Sequence, residues 1–489
     1  MDDFFIIQKK IESNKEWNIT FFERQARAYL GLEFVLIKQQ NKAKEEALSF
    51  SDFRRSRSLV SALTEKYKVQ KNHSLTSSRL KPQEIQSFAH KLNTYFIVYS
   101  LISESTDLKN ASTDYITAWI IPSQGEITCQ QLHLGILTEE VKEATQVFKA
   151  FPFIVEPTVA KRRPFTRPKK TRGSATYTLL DELTRGDPDE STTSAVLQNF
   201  KERLSLWYET LIAPLESYLP KDPQQVVTII PDGFLAQIPF AAFLDKEGTY
   251  LIEKHPISIA PSIAVLKLLD EIPKIFSENS LVIGNPTTPH SKDTLPLAEK
   301  EAQTIVAPLL ATSPERTLLQ DSATAERVLE GMRDARWIHL ACHGSTGAKQ
   351  EKLDLHSVFE GLFKLAPDEE HIQGYLHAQE IVPLTLRTEL VFMSACFSGR
   401  GKLHREGSVG PVWSFLAAGA LSTVATYWRL PDSNLTLQMV DTFYRHLLGI
   451  EVKKLNKAQA LQKAMLLAIE QKRDKPHLWG AFFLSGLHK

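Results

Sequence analysis

Two short apolar runs, each ending in a reactive side chain and a glycine-bearing loop, constrain this chain more than any other feature. The first reads Arg336-Trp337-Ile338-His339-Leu340-Ala341-Cys342-His343-Gly344, and the second Leu390-Val391-Phe392-Met393-Ser394-Ala395-Cys396-Phe397-Ser398-Gly399. Short aliphatic and aromatic runs bounded by glycine read as buried strands, here 337–341 and 389–394. From about Ser280 they alternate with helical segments and with further strand-like runs at 281–284, 317–320 and 421–427. Helix starts are signalled at Asp321-Ser322-Ala323-Thr324 and at Pro431-Asp432-Ser433-Asn434. This alternation predicts an α/β fold with a mostly parallel sheet flanked by helices. In such a sheet both reactive runs finish on one edge, where open α/β proteins place their sites.

Upstream the pattern differs. Residues 1–79 read as a short helical segment. Phe22, Ala26, Leu30, Phe34 and Ile37 fall at helical spacing, a second helix is expected over 41–67, and the two would form a hairpin joined near Gln40. A polar stretch, 68–81, reads as a linker. From Pro82, strands are expected at 94–102, 115–121, 126–132 and 226–231, with a hairpin turn at Pro122-Ser123-Gln124-Gly125. Over 160–194 the apolar pattern collapses into Lys, Arg and Pro, which predicts an exposed basic loop. The expected divisions are 1–79, 80–275 and 276–489.

Fifty-eight Lys and Arg against fifty-seven Asp and Glu point to neither a nucleic-acid-binding nor a membrane surface. Cys129, Cys342 and Cys396 are too few and odd in number for a disulfide framework, which implies a reducing compartment. The N-terminus carries acid where a signal peptide needs positive charge. The uncharged stretch 412–428 contains Gly419 and reads as a buried helix followed by a buried strand rather than a membrane span. The expected location is cytoplasmic.

An ordinary thiol has a pKa of about 8.5 and is mostly protonated at neutral pH. An imidazole beside it, with a pKa near ~6.5, can take that proton and later give one to a leaving amine. Cys396 would then attack a carbonyl and form an acyl-enzyme, and the backbone N–H groups of Gly344 and Cys396 are the candidate oxyanion donors. A cysteine or a His-Gly alone reads as packing. The pair reads as catalytic because His343 lies 53 residues before Cys396 and each closes an apolar strand; caspases place the histidine about 50 residues upstream of the cysteine. Gly399 and Gly401 are expected to loosen the loop after the nucleophile. His339 reads as a hydrogen-bonded core residue and Cys342 as structural. Cys342, His343, Cys396 and His404 lack zinc-ligand spacing, and no phosphate-binding glycine motif is present, so no metal or nucleotide cofactor is expected.

These residues, with others in the same order, make the chain resemble the CHAT family, the caspase-like domains often attached to TPR repeats. The resemblance runs over about 80–489. It is carried by Ile230-Pro231-Asp232-Gly233 with Ile238-Pro239-Phe240-Ala241-Ala242, His339-Leu340-Ala341-Cys342-His343-Gly344, Ser394-Ala395-Cys396, Glu406-Gly407, Ala417-Ala418-Gly419-Ala420, Trp428 with Asp432, Phe443-Tyr444, and Trp479-Gly480-Ala481-Phe482. It implies a caspase/separase-like fold with a degenerate half and an active half, and His343 and Cys396 as the catalytic pair. The segment Asp52-Phe53-Arg54-Arg55-Ser56-Arg57-Ser58-Leu59 resembles the helix that joins a TPR array to the domain; the many repeats that usually precede it are not found here. Trp428-Arg429-Leu430-Pro431-Asp432 stands where relatives tend to read Trp-Pro-Val-Asp-Asp. It resembles a wall of the substrate pocket, where Asp432 would favour a basic P1 residue and Arg429 an acidic one; helix capping explains Asp432 about as well.

The resemblance further implies a protein substrate in bacterial defence or regulated proteolysis, with gasdermin-type substrates as one setting. It also implies release by an activating protein or RNA-bound complex. Two other readings stay open: a catalytically silent scaffold that binds a partner protein, and a hydrolase or ligase acting on non-peptide acyl groups.

Overall fold

The computed structural model describes residues 15–39, 42–67, 79–102, 115–133, 194–289, 294–346, 359–404 and 407–489. Nearly all of the expected basic loop (160–193) and most of the expected linker (68–78) lie outside the described residues. So do the side chain of Phe22 and residues Arg405 and Glu406.

In chain order the described strands are β1 (Thr94–Ile102), β2 (Tyr115–Ile121), β3 (Thr128–Leu132), β4 (Val226–Ile230), β5 (Ile257–Ile259), β6 (Ser280–Pro286), β7 (Thr317–Gln320) and β8 (Trp337–Ala341). They continue with β9 (His343–Ser345), β10 (Leu362–Lys364), β11 (Tyr375–His377), β12 (Leu390–Ser394), β13 (Lys402–His404), β14 (Gly407–Val409), β15 (Ser422–Thr426) and β16 (Phe482–Gly486). Eleven of them form one sheet in the order β3-β2-β1-β4-β5-β16-β15-β12-β8-β6-β7. Only the junctions β3/β2, β2/β1 and β16/β15 are antiparallel, so the sheet is mostly parallel, as the alternating pattern predicted. The hairpin expected around Pro122 joins β2 to β3.

The longer described helices are α1 (Lys15–Lys38), α2 (Lys42–Phe53), α3 (Arg57–Tyr67), α4 (Pro82–Leu92), α5 (Ser194–Leu211), α6 (Ile263–Glu271), α7 (Ala325–Met332), α8 (Pro411–Ala418), α9 (Asn434–Leu448) and α10 (Lys457–Lys472). Thr324 and Ser433 cap α7 and α9 at the two predicted helix starts. Alternate residues of β1 divide two cores. Ile97 and Tyr99 pack with α5, α9 and α10 on one face, and Phe96 and Val98 with α2, α3, α4, α6 and α8 on the other. The strands are therefore buried on both sides, which is why they read as continuous apolar runs.

The antiparallel β16/β15 junction reverses the polarity of the sheet. Strands β1, β4 and β5 run with β16, whereas β15, β12, β8, β6 and β7 run the other way. The C-terminal ends of the two sets consequently lie on opposite rims. The uncharged stretch 412–428 falls on α8, its cap Gly419 (φ +109°) and β15. Among the described residues no helix is long and apolar enough to cross a membrane.

The helical segment at the N-terminus departs from the two-helix expectation. The run expected as one helix over 41–67 breaks at Arg54, Arg55 and Ser56, and Ser56 takes a left-handed φ of +51°. The break turns two arginines inward. Arg54 Nε donates to Glu33 at 3.0 Å and its guanidinium also donates to both oxygens of Asp232, all three residues being buried. Arg55 donates to the Ser51 hydroxyl at 2.6 Å and to the Tyr99 carbonyl. Burial disfavours the Asp232 carboxylate, but the two guanidinium groups outweigh it and hold its pKa down to about 2. Asp52 accepts from the amides of Ile263 (2.6 Å) and Ala264 (3.0 Å) at the start of α6. At the far end of α3, Lys66 Nζ donates to the carbonyls of Val382 (2.8 Å), Leu384 and Ala417 (3.0 Å). The Tyr67 hydroxyl lies 2.6 Å from the Leu386 carbonyl and 2.7 Å from that of Ala418. A side chain at Gly419 would collide with the Tyr67 ring.

Removing one partner of a buried ion pair strands the other charge, at a cost of about 3–5 kcal/mol. Arg54→Ala is accordingly expected to lower the unfolding free energy by about that amount in denaturant titrations. Unchanged stability would mean that the helices dock without this cluster. The Asp232 contribution is present above its ordinary pKa and is lost as pH falls through about 2.

Candidate active site

The ladder between β8 and β12 runs from Leu390 opposite Trp337 to Ser394 opposite Ala341. Two residues beyond each end of that last pair stand His343 and Cys396, and because the strands are parallel both lie on the same rim. Past Ala341 the chain crosses buried Cys342 and enters β9, where His343 pairs with Lys364 and Gly344 with Phe363 of β10. Gly344 lies directly against the nucleophile turn. A Cβ placed on it would sit 3.2 Å from the Cys396 carbonyl carbon, 3.3 Å from its nitrogen, and inside contact distance of its oxygen. Only glycine permits this approach.

The turn after β12 is clamped to the end of β15. Gly399 N–H donates to the Thr426 carbonyl (2.8 Å) and Phe397 N–H to that of Trp428 (3.3 Å). Thr426 Oγ1 donates to the Ala395 carbonyl at 2.6 Å, and Thr426 N–H to Ser398 Oγ at 3.1 Å. Arg400 Nε donates to the Tyr427 carbonyl (2.7 Å), with its guanidinium 5.1 Å from the Phe397 ring centroid. Phe397 itself adopts φ +57°, a left-handed conformation uncommon for a bulky residue, and it follows the half-buried Cys396 directly. Cys396 Sγ lies 3.8 Å from the Leu430 carbonyl.

Gly399 and Gly401 do not loosen this loop as expected. A side chain at Gly399 would strike the Phe483 ring and approach the Thr426 carbonyl to 3.0 Å; one at Gly401 would run into Val409 and Gly410. Both glycines serve close packing. The Gly401 carbonyl also accepts from Gln237 Nε2 at 2.8 Å, tying the turn to the other half of the sheet. The left-handed Phe397 was not foreseen, since Ser-Ala-Cys-Phe-Ser-Gly carries no turn signal at that position.

The other expected residues fall as follows. His339 is fully buried, 2.8 Å from Glu301 and 3.1 Å from the Tyr444 hydroxyl, in keeping with a core role. Cys342 is buried, and burial, with Cys396 nearby, pushes its thiol pKa far up. Trp428, expected as a pocket wall, instead has its indole in the core, 1% exposed, with Nε1 donating to the His477 carbonyl at 2.8 Å. Its backbone carbonyl accepts from Phe397 of the nucleophile turn. Asp432, expected to select P1 or cap its own helix, accepts from the amides of Leu297 (3.1 Å) and Ala298 (2.9 Å), at the start of the helix Pro296–Lys300. Ser433 caps α9. Arg429 is half-buried between Trp428 and Leu430.

The architecture matches two crystal structures of the Saccharomyces cerevisiae separase–securin complex. Each match covers 97% of this chain and 36% of that one, with TM-scores of 0.51 and 0.50 at 12% and 13% identity. The sheet, its flanking helices and the rim described above thus define a caspase/separase-like α/β fold. Residues 201–487 match the CHAT domain, and the chain belongs to that family. Tetratricopeptide repeat protein 28 of Mus musculus is 26% identical over 333 residues, and that of Homo sapiens 27% over 332. Either alignment covers 58% of this chain but 13% of the relative, so the chain corresponds to a small part of those proteins.

Two substitutions test this geometry. Asp432→Ala is expected to cost about 1 kcal/mol of stability by removing a helix cap, while the alkylation rate of Cys396 stays unchanged. A drop in that rate would give Asp432 a part in the site. Gly344→Ala is expected to displace the Cys396 backbone and change that rate while the fold survives, as judged by far-UV circular dichroism.

Proposed function

We propose that the chain is a cysteine endopeptidase that cleaves a dedicated protein partner, with Cys396 as nucleophile and His343 as general acid and base. The observation that carries this reading is the shared register of β8 and β12. It sets an imidazole and a thiol equally far past the ends of neighbouring strands, with Gly344 against the cysteine backbone. His343 would accept the Sγ proton as sulfur bonds to the scissile carbonyl carbon. The oxyanion would be met by the N–H groups of Gly344 and Cys396. Collapse breaks the C–N bond, His343 returns the proton to the departing amine, and water, deprotonated by His343, releases the acid from the thioester.

A protein partner is supported by the neighbours, since the yeast separase is seen with securin and the curated relatives are tetratricopeptide repeat proteins. Regulated proteolysis, with release by an activating protein or complex and bacterial defence as one setting, is the context proposed. Of the two charged residues considered for P1 selection, Asp432 is engaged by the backbone amides of Leu297 and Ala298. The division into a degenerate half (80–275) and an active half (276–489) is retained as part of this proposal.

Cys396→Ala and His343→Ala are each expected to lower cleavage of the partner by at least ~10³-fold without changing its binding. Wild-type protein that binds its partner, never cuts it and is never labelled by a cysteine-peptidase probe would sink the proposal and leave the scaffold reading.

A further inference from the structure

His339 and His371, both outside the dyad, have partners at both ring nitrogens, and they differ in what one proton can satisfy. His339 lies between the Glu301 carboxylate and the Tyr444 hydroxyl. A neutral ring serves both, with Nε2–H donating to Glu301 and Nδ1 accepting from the tyrosine. His371 has Nδ1 2.9 Å from Asp368 Oδ1 and Nε2 2.8 Å from Glu380 Oε1. Both partners are carboxylates, which only accept when ionised. A neutral imidazole would satisfy one and turn a lone pair on the other. The arrangement calls for the imidazolium.

Its location connects it to the site. Residues 365–374 join β10 to β11 and carry both Asp368 and His371. Asp368 accepts from the amide of His371 (2.6 Å) and from that of Glu326 (2.9 Å) in the first turn of α7. Glu380 belongs to the helix Ala378–Ile381 and accepts from the His377 amide at 2.7 Å. Within the loop, Gly374 N–H donates to the His371 carbonyl at 2.7 Å, and Ala366 N–H to the Ala323 carbonyl at 2.9 Å. One ring thus joins the hairpin tip, the start of α7 and the start of the next helix. Two residues before Ala366, Lys364 pairs with His343.

We propose that His371 is a positioning residue for the site: as an imidazolium it clamps Asp368 to Glu380, fixes the β10–β11 hairpin, and through the β10–β9 ladder sets the placement of His343. This rests on the peptidase reading for its functional meaning, but the clamp can be tested without catalysis. The charged groups facing the ring are Asp368 and Glu380. Glu326 contributes its amide through Asp368, and Glu369 and Glu370 are exposed neighbours in the loop.

Burial disfavours the charged ring, yet Glu380 and Asp368 outweigh it and raise the His371 pKa above its ordinary 6.5. Asp368, despite burial, is held below its ordinary value by the Glu326 and His371 amides and by the ring. The sign follows from linkage. The His371 contribution is full below its ordinary pKa and is lost as pH rises through the raised one; that of Asp368 is lost as pH falls through its lowered one. The clamp therefore opens on the alkaline side.

The test is hydrogen exchange of the amides over 362–377, with the rate of Cys396 alkylation by iodoacetamide, across pH ~6 to ~9. In wild type, intrinsic-rate-corrected protection should fall with pH by up to about tenfold for each unit of pKa elevation. In His371→Gln it should be low and flat, and the pH profile of alkylation should lose the same transition. Superimposable profiles for the two proteins would overturn the proposal, as would a hairpin transition without any change at Cys396. Should the variant not fold, the His371 ring titration followed by NMR in wild type must share its midpoint with the loss of protection; separate midpoints refute the clamp. Absence of peptidase activity alone would leave both readouts intact and would count only against the catalytic reading.

Discussion

In the ladder between β8 and β12 each residue faces a fixed partner, and the side chains just past the last pair inherit that register. A slip of one residue would send His343 and Cys396 to opposite faces of the sheet. The aliphatic residues alone do not prevent such a slip, because apart from His339 and the terminal Ser394 both strands are apolar. Burial on two faces prevents it: Phe392 packs against Phe443, Tyr444 and Phe482, and His339 stacks on Phe392 at 5.2 Å while bonded to Glu301 and Tyr444. A polar residue in the middle of an apolar strand has one satisfied position, and it specifies the register that the aliphatic residues leave loose.

The N-terminal helices are not an appendage to this sheet. Through Arg54 and Asp232 they grip the end of β4, and through Lys66 and Tyr67 they cover the carbonyls that end α8. Helix α8 begins just after the hairpin β13–β14, and that hairpin follows the nucleophile turn. Gly401 and Gly410 pack backbone to backbone where these pieces meet. Buried charges and close glycine contacts thus form a continuous path from the first helices to the turn that holds Cys396.

Much of this was legible in the residues. The runs at 94–102, 115–121, 317–320 and 337–341 became strands with the expected ends, because alternating helix and strand periods with glycine and proline boundaries are local signals. The common rim of His343 and Cys396 followed from parallel pairing alone. What escaped depends on distant partners. Strand β5 is three residues long and exists through its neighbours β4 and β16. The break at Arg54 is held by Glu33 and Asp232, partners distant in sequence. Asp432 stands one residue before the cap of its own helix yet serves another. The Trp428 indole is held in the core by partners distant in sequence, Phe200 in an edge-to-face ring contact at 6.0 Å and the His477 carbonyl at Nε1.

The place of β16 has a kinetic side. This strand, drawn from residues 482–486, lies between β5 and β15 and is the sole bridge of hydrogen bonds between the oppositely running sets of described strands. During vectorial synthesis every other strand of the sheet leaves the ribosome before it. Until it arrives, β5 and β15 each present a bare, apolar edge, the kind that recruits foreign strands. The nascent protein must hold two unfinished sheets apart in solution and weld them last, and Phe483, which buttresses Gly399 beneath the nucleophile turn, arrives with the weld.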